Sequence, residues 1–185
     1  GKEVARGGMG SIRRVWDEGL QRWLAMKVVR GPIGRPRDDA SEARLRTRFL
    51  EEARVTAQLD HPGIVPIHDV GRDDTGQLYF TMKLVEGRTF AEVIDLMLEG
   101  RDGWDLSRAI EVLMRVCDAV AYAHSKGIVH RDLKPSNIMV GRFGEVYVMD
   151  WGLARVLGGL TAIGPREQPV EGSSGRITLD GEVLG

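Results

Sequence analysis

His130-Arg131-Asp132-Leu133-Lys134-Pro135-Ser136-Asn137 is the densest polar stretch of the chain, and Asp150-Trp151-Gly152 begins thirteen residues after Asn137. Between them, Ile138–Val140 and Glu145–Met149 read as two short strands joined through Gly141 and Gly144. An Asp, an Asn and a second Asp brought together around such a hairpin offer oxygen donors only, which suits a hard divalent cation. Upstream, residues 107–127 carry a helical pattern. Ser107 is the expected cap, and Ile110, Leu113, Cys117, Val120 and His124 form the expected buried stripe, with Cys117 in the core. Gly127 ends that helix.

Further upstream, Thr89 with Glu92 opens a helix running to about Leu98. Before it, Ile64–Val70 and Gln77–Leu84 read as strands around a Gly71–Gly76 turn. The preceding helix starts near Asp39, a candidate cap with Glu42 three residues on. Its stripe of Leu45, Phe49, Glu52, Thr56 and Leu59 places a carboxylate on the inward face, where it needs a partner. Residues 31–38 read as a loop. The arginines between Arg35 and Arg54 read as a solvated face.

The first thirty residues are strand-like. In Arg22–Val29, Trp23, Ala25, Lys27 and Val29 share one face and Leu24, Met26 and Val28 the other. Ahead of it, Ala5-Arg6-Gly7-Gly8-Met9-Gly10 forms a glycine-rich bend of a hairpin, whose exposed N–H groups suit phosphate oxygens. By itself such a bend is ordinarily just a turn, and a strand lysine such as Lys27 ordinarily a solvated edge residue. Together with the Asp/Asn/Asp constellation they describe a nucleotide-phosphate site with metal and a carboxylate base.

Composition sets the limits around this reading. Among 185 residues, 26 Lys and Arg face 27 Asp and Glu for a net charge of −1, which argues against a strongly basic nucleic-acid binder. One cysteine excludes an intramolecular disulfide and a four-cysteine zinc site. Apolar residues make up 42%, as in a globular domain, yet no apolar run is long enough to predict a membrane span. From Gly158 onward the chain is rich in Gly, Ser, Pro and charge, and reads as a loop. Strands first and helices with small hairpins afterwards give an α+β fold in two lobes.

With these motifs in this order, the chain resembles the eukaryotic-type (Hanks-type) serine/threonine protein kinases, most like the bacterial branch. The matches run from Ala5 to Gly152. The resemblance implies a small lobe and hinge over 1–85 and the start of a large lobe over 86–157. Residues 158–185 would be an activation-segment loop. It implies that Ala5, Gly7, Gly8, Met9 and Gly10 lie over the ATP phosphates and that Ile12 and Ala25 pack on the adenine. Lys27 would hold the α- and β-phosphates and pair with Glu52. Met82 would occupy the gatekeeper position, and the backbone of Lys83 to Val85 would bond the adenine edge. Asp132 would serve the attacking hydroxyl, Lys134 would contact the γ-phosphate, and Asn137 and Asp150 would bind Mg²⁺. His130 would be structural and Arg131 a phosphate-binding residue for the activation segment. Thr178 is favoured over Thr161, Ser173 and Ser174 as its acceptor.

Ala5 replaces the usual first glycine and Trp151 the usual phenylalanine after the metal-binding Asp; neither change removes a chemical group. The Ala-Pro-Glu motif and the later large-lobe helices have no counterpart in these residues, so the chain is expected to be an incomplete kinase domain. The expected function is Mg²⁺-dependent transfer of the ATP γ-phosphoryl group to Ser or Thr of protein substrates, by a kinase domain expected in the cytoplasm. Alternatives are a nucleotide- or partner-binding module without turnover, and a kinase acting on a small molecule; Lys134 and the Asp132–Asn137 spacing argue against the latter.

Overall fold

The computed structural model of the chain describes residues 3–7, 10–29 and 39–156. Five antiparallel strands form the first sheet: β1 (Glu3–Gly7), β2 (Gly10–Asp17), β3 (Arg22–Val29), β4 (Ile67–Arg72) and β5 (Leu78–Lys83), in the order β1-β2-β3-β5-β4. Helix α1 (Asp39–Ala57) crosses between β3 and β4 and lays its apolar stripe on this sheet. Phe49 is fully buried with its ring 4.9 Å from that of Phe80, and Ala25, Ala53, Val65, Leu78 and Met82 complete the cluster. The expected stripe is present: Phe49, Glu52, Thr56 and Leu59 are buried and Leu45 half-buried. Arg44, Arg46, Arg48 and Arg54 are exposed.

The remaining elements build a second, larger core. They are β6 (Gly87–Thr89), α2 (Phe90–Leu98), α3 (Leu106–Ser125), β7 (Ile128–Val129), a 3₁₀ turn (Pro135–Asn137), β8 (Ile138–Gly141), β9 (Val146–Val148) and β10 (Arg155–Val156). Strands β6, β8 and β9 form a small antiparallel sheet, and β7 pairs with β10. Val55 and Leu59, from the last turns of α1 and just beyond, join this second core, so the helix carrying Glu52 touches both clusters. The two parts are also tied by backbone: Val148 N–H donates to Gly63 O at 2.8 Å. The result is the two-part α+β arrangement expected.

Four local expectations change. Helix α3 is capped by Asp105, whose side chain accepts from Arg108 N–H at 2.8 Å, and Ser107 lies inside the helix. Its buried face is Ala109, Val112, Val116, Ala119 and Ala123, one residue back from the expected stripe. Cys117 is therefore exposed and not core, Ile110, Leu113 and His124 are exposed, and Val120 is half-buried. Both stripes are apolar, so periodicity alone could not separate them. The smaller residues face inward because the backbone comes close: a side chain added at Gly63 would meet the Ala119 Cβ at 3.0 Å. Asp39 is the first helical residue, and Glu42 pairs with Arg46 at 2.5 Å. Ile64 makes only an isolated bridge to Val148, so β4 starts at Ile67 and the turn that follows lies beyond Gly71. By contrast, Thr89 and Glu92 form the expected capping box of α2, and Gly127 (φ 71°) terminates α3.

Candidate active site

Cross-strand register sets the upper wall of the site. Ile12, Lys27 and Phe80 are partners across β2, β3 and β5, as are Ala25 and Met82, so their side chains share the face turned toward the second lobe. Ile12, Lys27 and Met82 line a cleft of about 450 Å³, whose opposite wall includes Asn137, Met139 and Asp150. Gly10 lies at its edge and is required by close approach: an added Cβ would sit 2.1 Å from the Val28 carbonyl oxygen. Gly8 and Met9 lie outside the described residues, as do residues 31–38 and 157–185 with Thr161, Ser173, Ser174 and Thr178.

Lys27 finds the expected partner. Its Nζ lies 2.5 Å from Glu52 Oε1 and 3.4 Å from Asp150 Oδ1. Glu52 is buried on α1, and its second oxygen, Oε2, has no hydrogen-bond partner. Burial pushes the Glu52 carboxyl above its ordinary range, and the attraction and hydrogen bond of Lys27 only partly oppose this. The ion pair thus connects the sheet, the helix and the Asp150 turn at one nitrogen.

The loop of residues 130–137 is organised from below by His130. His130 Nδ1 accepts from Asp132 N–H at 3.2 Å, which leaves Nε2–H to donate to Met149 O at 2.9 Å. The imidazole is buried, and its ring centre lies 4.6 Å from that of Trp151. Trp151 is 2% exposed and packs in the cluster containing Val55 and Leu59, beneath the helix bearing Glu52. Arg131 and Asp150 hold φ of 67° and 57°, left-handed values that a non-glycine residue adopts only when its surroundings enforce them.

Asp132 receives Lys134 Nζ at Oδ2 (2.7 Å) and the Asn137 side-chain amide at Oδ2 (3.1 Å) and at its own carbonyl (2.9 Å). These bonds, with that of Lys134 first, hold the Asp132 carboxyl below its ordinary range, so it is ionised at neutral pH. Asp132 and Lys134 are not among the residues lining the cleft; Asn137 bridges them to it. Because Asn137 spends its amide N–H groups on Asp132, its carbonyl oxygen remains free as an acceptor. With the carboxylate of Asp150, this offers two hard oxygen donors. Among the described residues no group of three or more His, Cys, Asp or Glu could hold a metal ion. A donor pair of this kind fits Mg²⁺ that arrives with phosphate oxygens and water as its other ligands.

Three of the expected nucleotide residues, Lys83, Val85 and Ala25, are not among those lining the cleft. Lys83 turns away from the cleft: its Nζ bonds Tyr147 Oη, and its backbone N–H donates to Pro66 O at 3.2 Å. Lys83 and Val85 border a separate cavity, and Ala25 is buried behind the cleft wall. The sequence reading also missed Val65, Met139 and Met149 in the lining. Met139 was legible in principle, since alternation in β8 sets it opposite buried Ile138 and Val140.

A cleft between a five-stranded sheet and a helical lobe, with a Lys–Glu pair above and an Asp/Asn/Asp constellation below, defines a phosphoryl-transfer type of site. The protein kinase domain family matches residues 1–169, and the chain belongs to that family. Members of the family use ATP with Mg²⁺. The chain is 42% identical over 164 residues to a serine/threonine-protein kinase PknD of Protochlamydia amoebophila, covering 84% of the chain and 16% of the relative. It is 37% identical over 158 residues to PknD of Chlamydia trachomatis (82% and 16%) and 33% identical over 192 residues to PknD of Chlamydia pneumoniae (98% and 20%). The chain thus spans about a sixth to a fifth of the length of these relatives. No helix of the described residues is long and apolar enough to cross a membrane.

Proposed function

We propose that this chain carries the nucleotide-binding and catalytic part of a serine/threonine protein kinase. The observation that supports this most is Lys27 Nζ between Glu52 Oε1 at 2.5 Å and Asp150 Oδ1 at 3.4 Å. A lysine so placed is held by one lobe and presented to the metal-binding side of the other. With this reading go a small lobe and hinge over 1–85, a large-lobe segment over 86–157, an activation segment over 158–185 and a cytoplasmic site of action.

In this mechanism the apolar wall of Ile12 and Met82 takes the adenine, and Lys27 holds the α- and β-phosphates. Asn137 Oδ1 and the Asp150 carboxylate would hold Mg²⁺. When bound, Mg²⁺ neutralises charge that develops on the transferred phosphoryl group. Asp132, ionised and anchored by Asn137, orients the Ser or Thr hydroxyl and takes its proton as the oxygen–phosphorus bond forms and the bond to ADP breaks. Lys134, at 2.7 Å from Asp132, reaches the γ-phosphate and fits a Ser/Thr acceptor.

The test is transfer of labelled phosphate from Mg-ATP to a generic basic protein by the full chain, beside Lys27→Met and Asp132→Asn. Loss of transfer in both variants supports the reading. ATP binding without transfer in the unaltered chain favours a module that binds nucleotide without turnover.

A further inference from the structure

The β6–β8 sheet has two faces, and the active cleft uses one of them. Arg88 pairs with Val140 and Thr89 with Met139. Thr89 and Met139 line the active cleft, so alternation turns Arg88 and Val140 to the opposite face. There they line a second cavity of about 440 Å³ that shares no lining residue with the first.

Three arginines from separate elements line this cavity: Arg88 on β6, Arg108 in the first turn of α3, and Arg142 in the β8–β9 turn. One carboxylate accompanies them. Asp102 Oδ2 lies 2.6 Å from Arg88 Nη1 and neutralises that arginine. Arg108 is fixed without a carboxylate: its guanidinium carbon lies 4.3 Å from the centre of the Trp104 ring, and Nη1 donates to Gly103 O at 2.7 Å. Arg142 is exposed and has no ion-pair partner among the described residues. Among the described residues, two of the three guanidiniums therefore have no ion-pair partner, over a floor that includes Val140.

We propose that this cavity docks a phosphorylated serine or threonine of a protein partner. The charge match selects the ligand. A phosphomonoester carries a charge of about −1.5 to −2 at neutral pH and three acceptor oxygens, which answers two guanidiniums that lack a carboxylate partner, whereas one carboxylate answers only one. The planar forks of arginine suit phosphate oxygens, and stacking on Trp104 holds Arg108 in place beforehand. Because the docking face and the active cleft are the two sides of one sheet, a partner phosphorylated at one residue would be retained behind the sheet while another segment reaches the cleft.

The test is fluorescence anisotropy on the full chain with three labelled peptides, identical except for phosphoserine, serine or Asp-Asp at the central position. The phosphoserine peptide should bind at least about tenfold more tightly than either other peptide. The double variant Arg108→Gln/Arg142→Glu should lose that preference while ATP affinity and melting temperature stay unchanged. Should the double variant melt early, Arg142→Glu alone, on an exposed turn, decides by the same criterion. Equal binding of the three peptides, or a preference that survives the variants, overturns the proposal. No transfer step enters this assay, so its outcome and that of the kinase reading are separable.

Discussion

Lys27 Nζ meets Glu52 Oε1 at 2.5 Å across the gap between β3 and α1, with side chains 12% and 4% exposed. Little solvent reaches this pair, so removing Lys27 leaves Glu52 buried without its counter-charge. Asp150 at 3.4 Å gives the lysine a second anion but gives Glu52 none. The two truncations are therefore unequal.

Lys27→Met should destabilise the chain by about 3 kcal/mol, the cost of stranding a buried charge, and should abolish phosphate transfer. Glu52→Gln should cost less, because Lys27 keeps Asp150. Urea denaturation of both variants checks the order, and equal losses would contradict it.

The pH dependence follows from the same carboxyl. Glu52 binds its proton more tightly when folded than its ordinary value of 4.5 in the unfolded chain, chiefly through burial. Its contribution is then fully present below pH 4.5 and is lost as pH rises through the raised folded value. The stability of Glu52→Gln relative to the unaltered chain should therefore rise with pH above 4.5. Asp132 has the opposite sign: its depressed carboxyl adds stability above its ordinary 3.8, lost as pH falls. Denaturation midpoints from pH 2 to 8 separate the two.

Asp132→Asn should lower transfer by about 10²- to 10⁴-fold, the range of a lost general base, with ATP affinity little changed. Asp132 receives its bonds at the rim of the cleft and does not line it. Single-turnover kinetics beside nucleotide titration would expose a misplaced role if both fell together.

Asn137→Asp would set a second carboxylate where the amide now lies 3.1 Å from Asp132 Oδ2. Two like charges at that range cannot both ionise easily, so the pH profile of transfer should shift upward and the Asp132 anchor should fail. Asn137→Ala should lose the anchor without that shift. The contrast is read in the two profiles.

Trp151→Ala should cost about 3–5 kcal/mol, since the indole is 2% exposed and fills the core between His130 and α1. Trp151→Phe should cost far less and keep the aromatic contact with His130. Thermal unfolding of the pair checks this.

The arrangement of the candidate site was legible in sequence because it rests on residue types at fixed spacing. Asp132, Asn137 and Asp150 are close along the chain, and an inward-facing Glu52 announced its need for a partner. The capping box at Thr89 and the stop at Gly127 were legible for the same reason, being local backbone chemistry. Only the tertiary structure decided which of two adjacent apolar stripes of α3 is buried. That choice depends on how closely Gly63 approaches Ala119, a contact between residues far apart in sequence. The same holds for Lys83, whose side chain bonds Tyr147, and for the three arginines, which line one cavity only because β6, α3 and the β8–β9 turn pack together. Periodicity and motif act within a few turns of chain, whereas burial and cavity walls are set by which distant surfaces fit against each other.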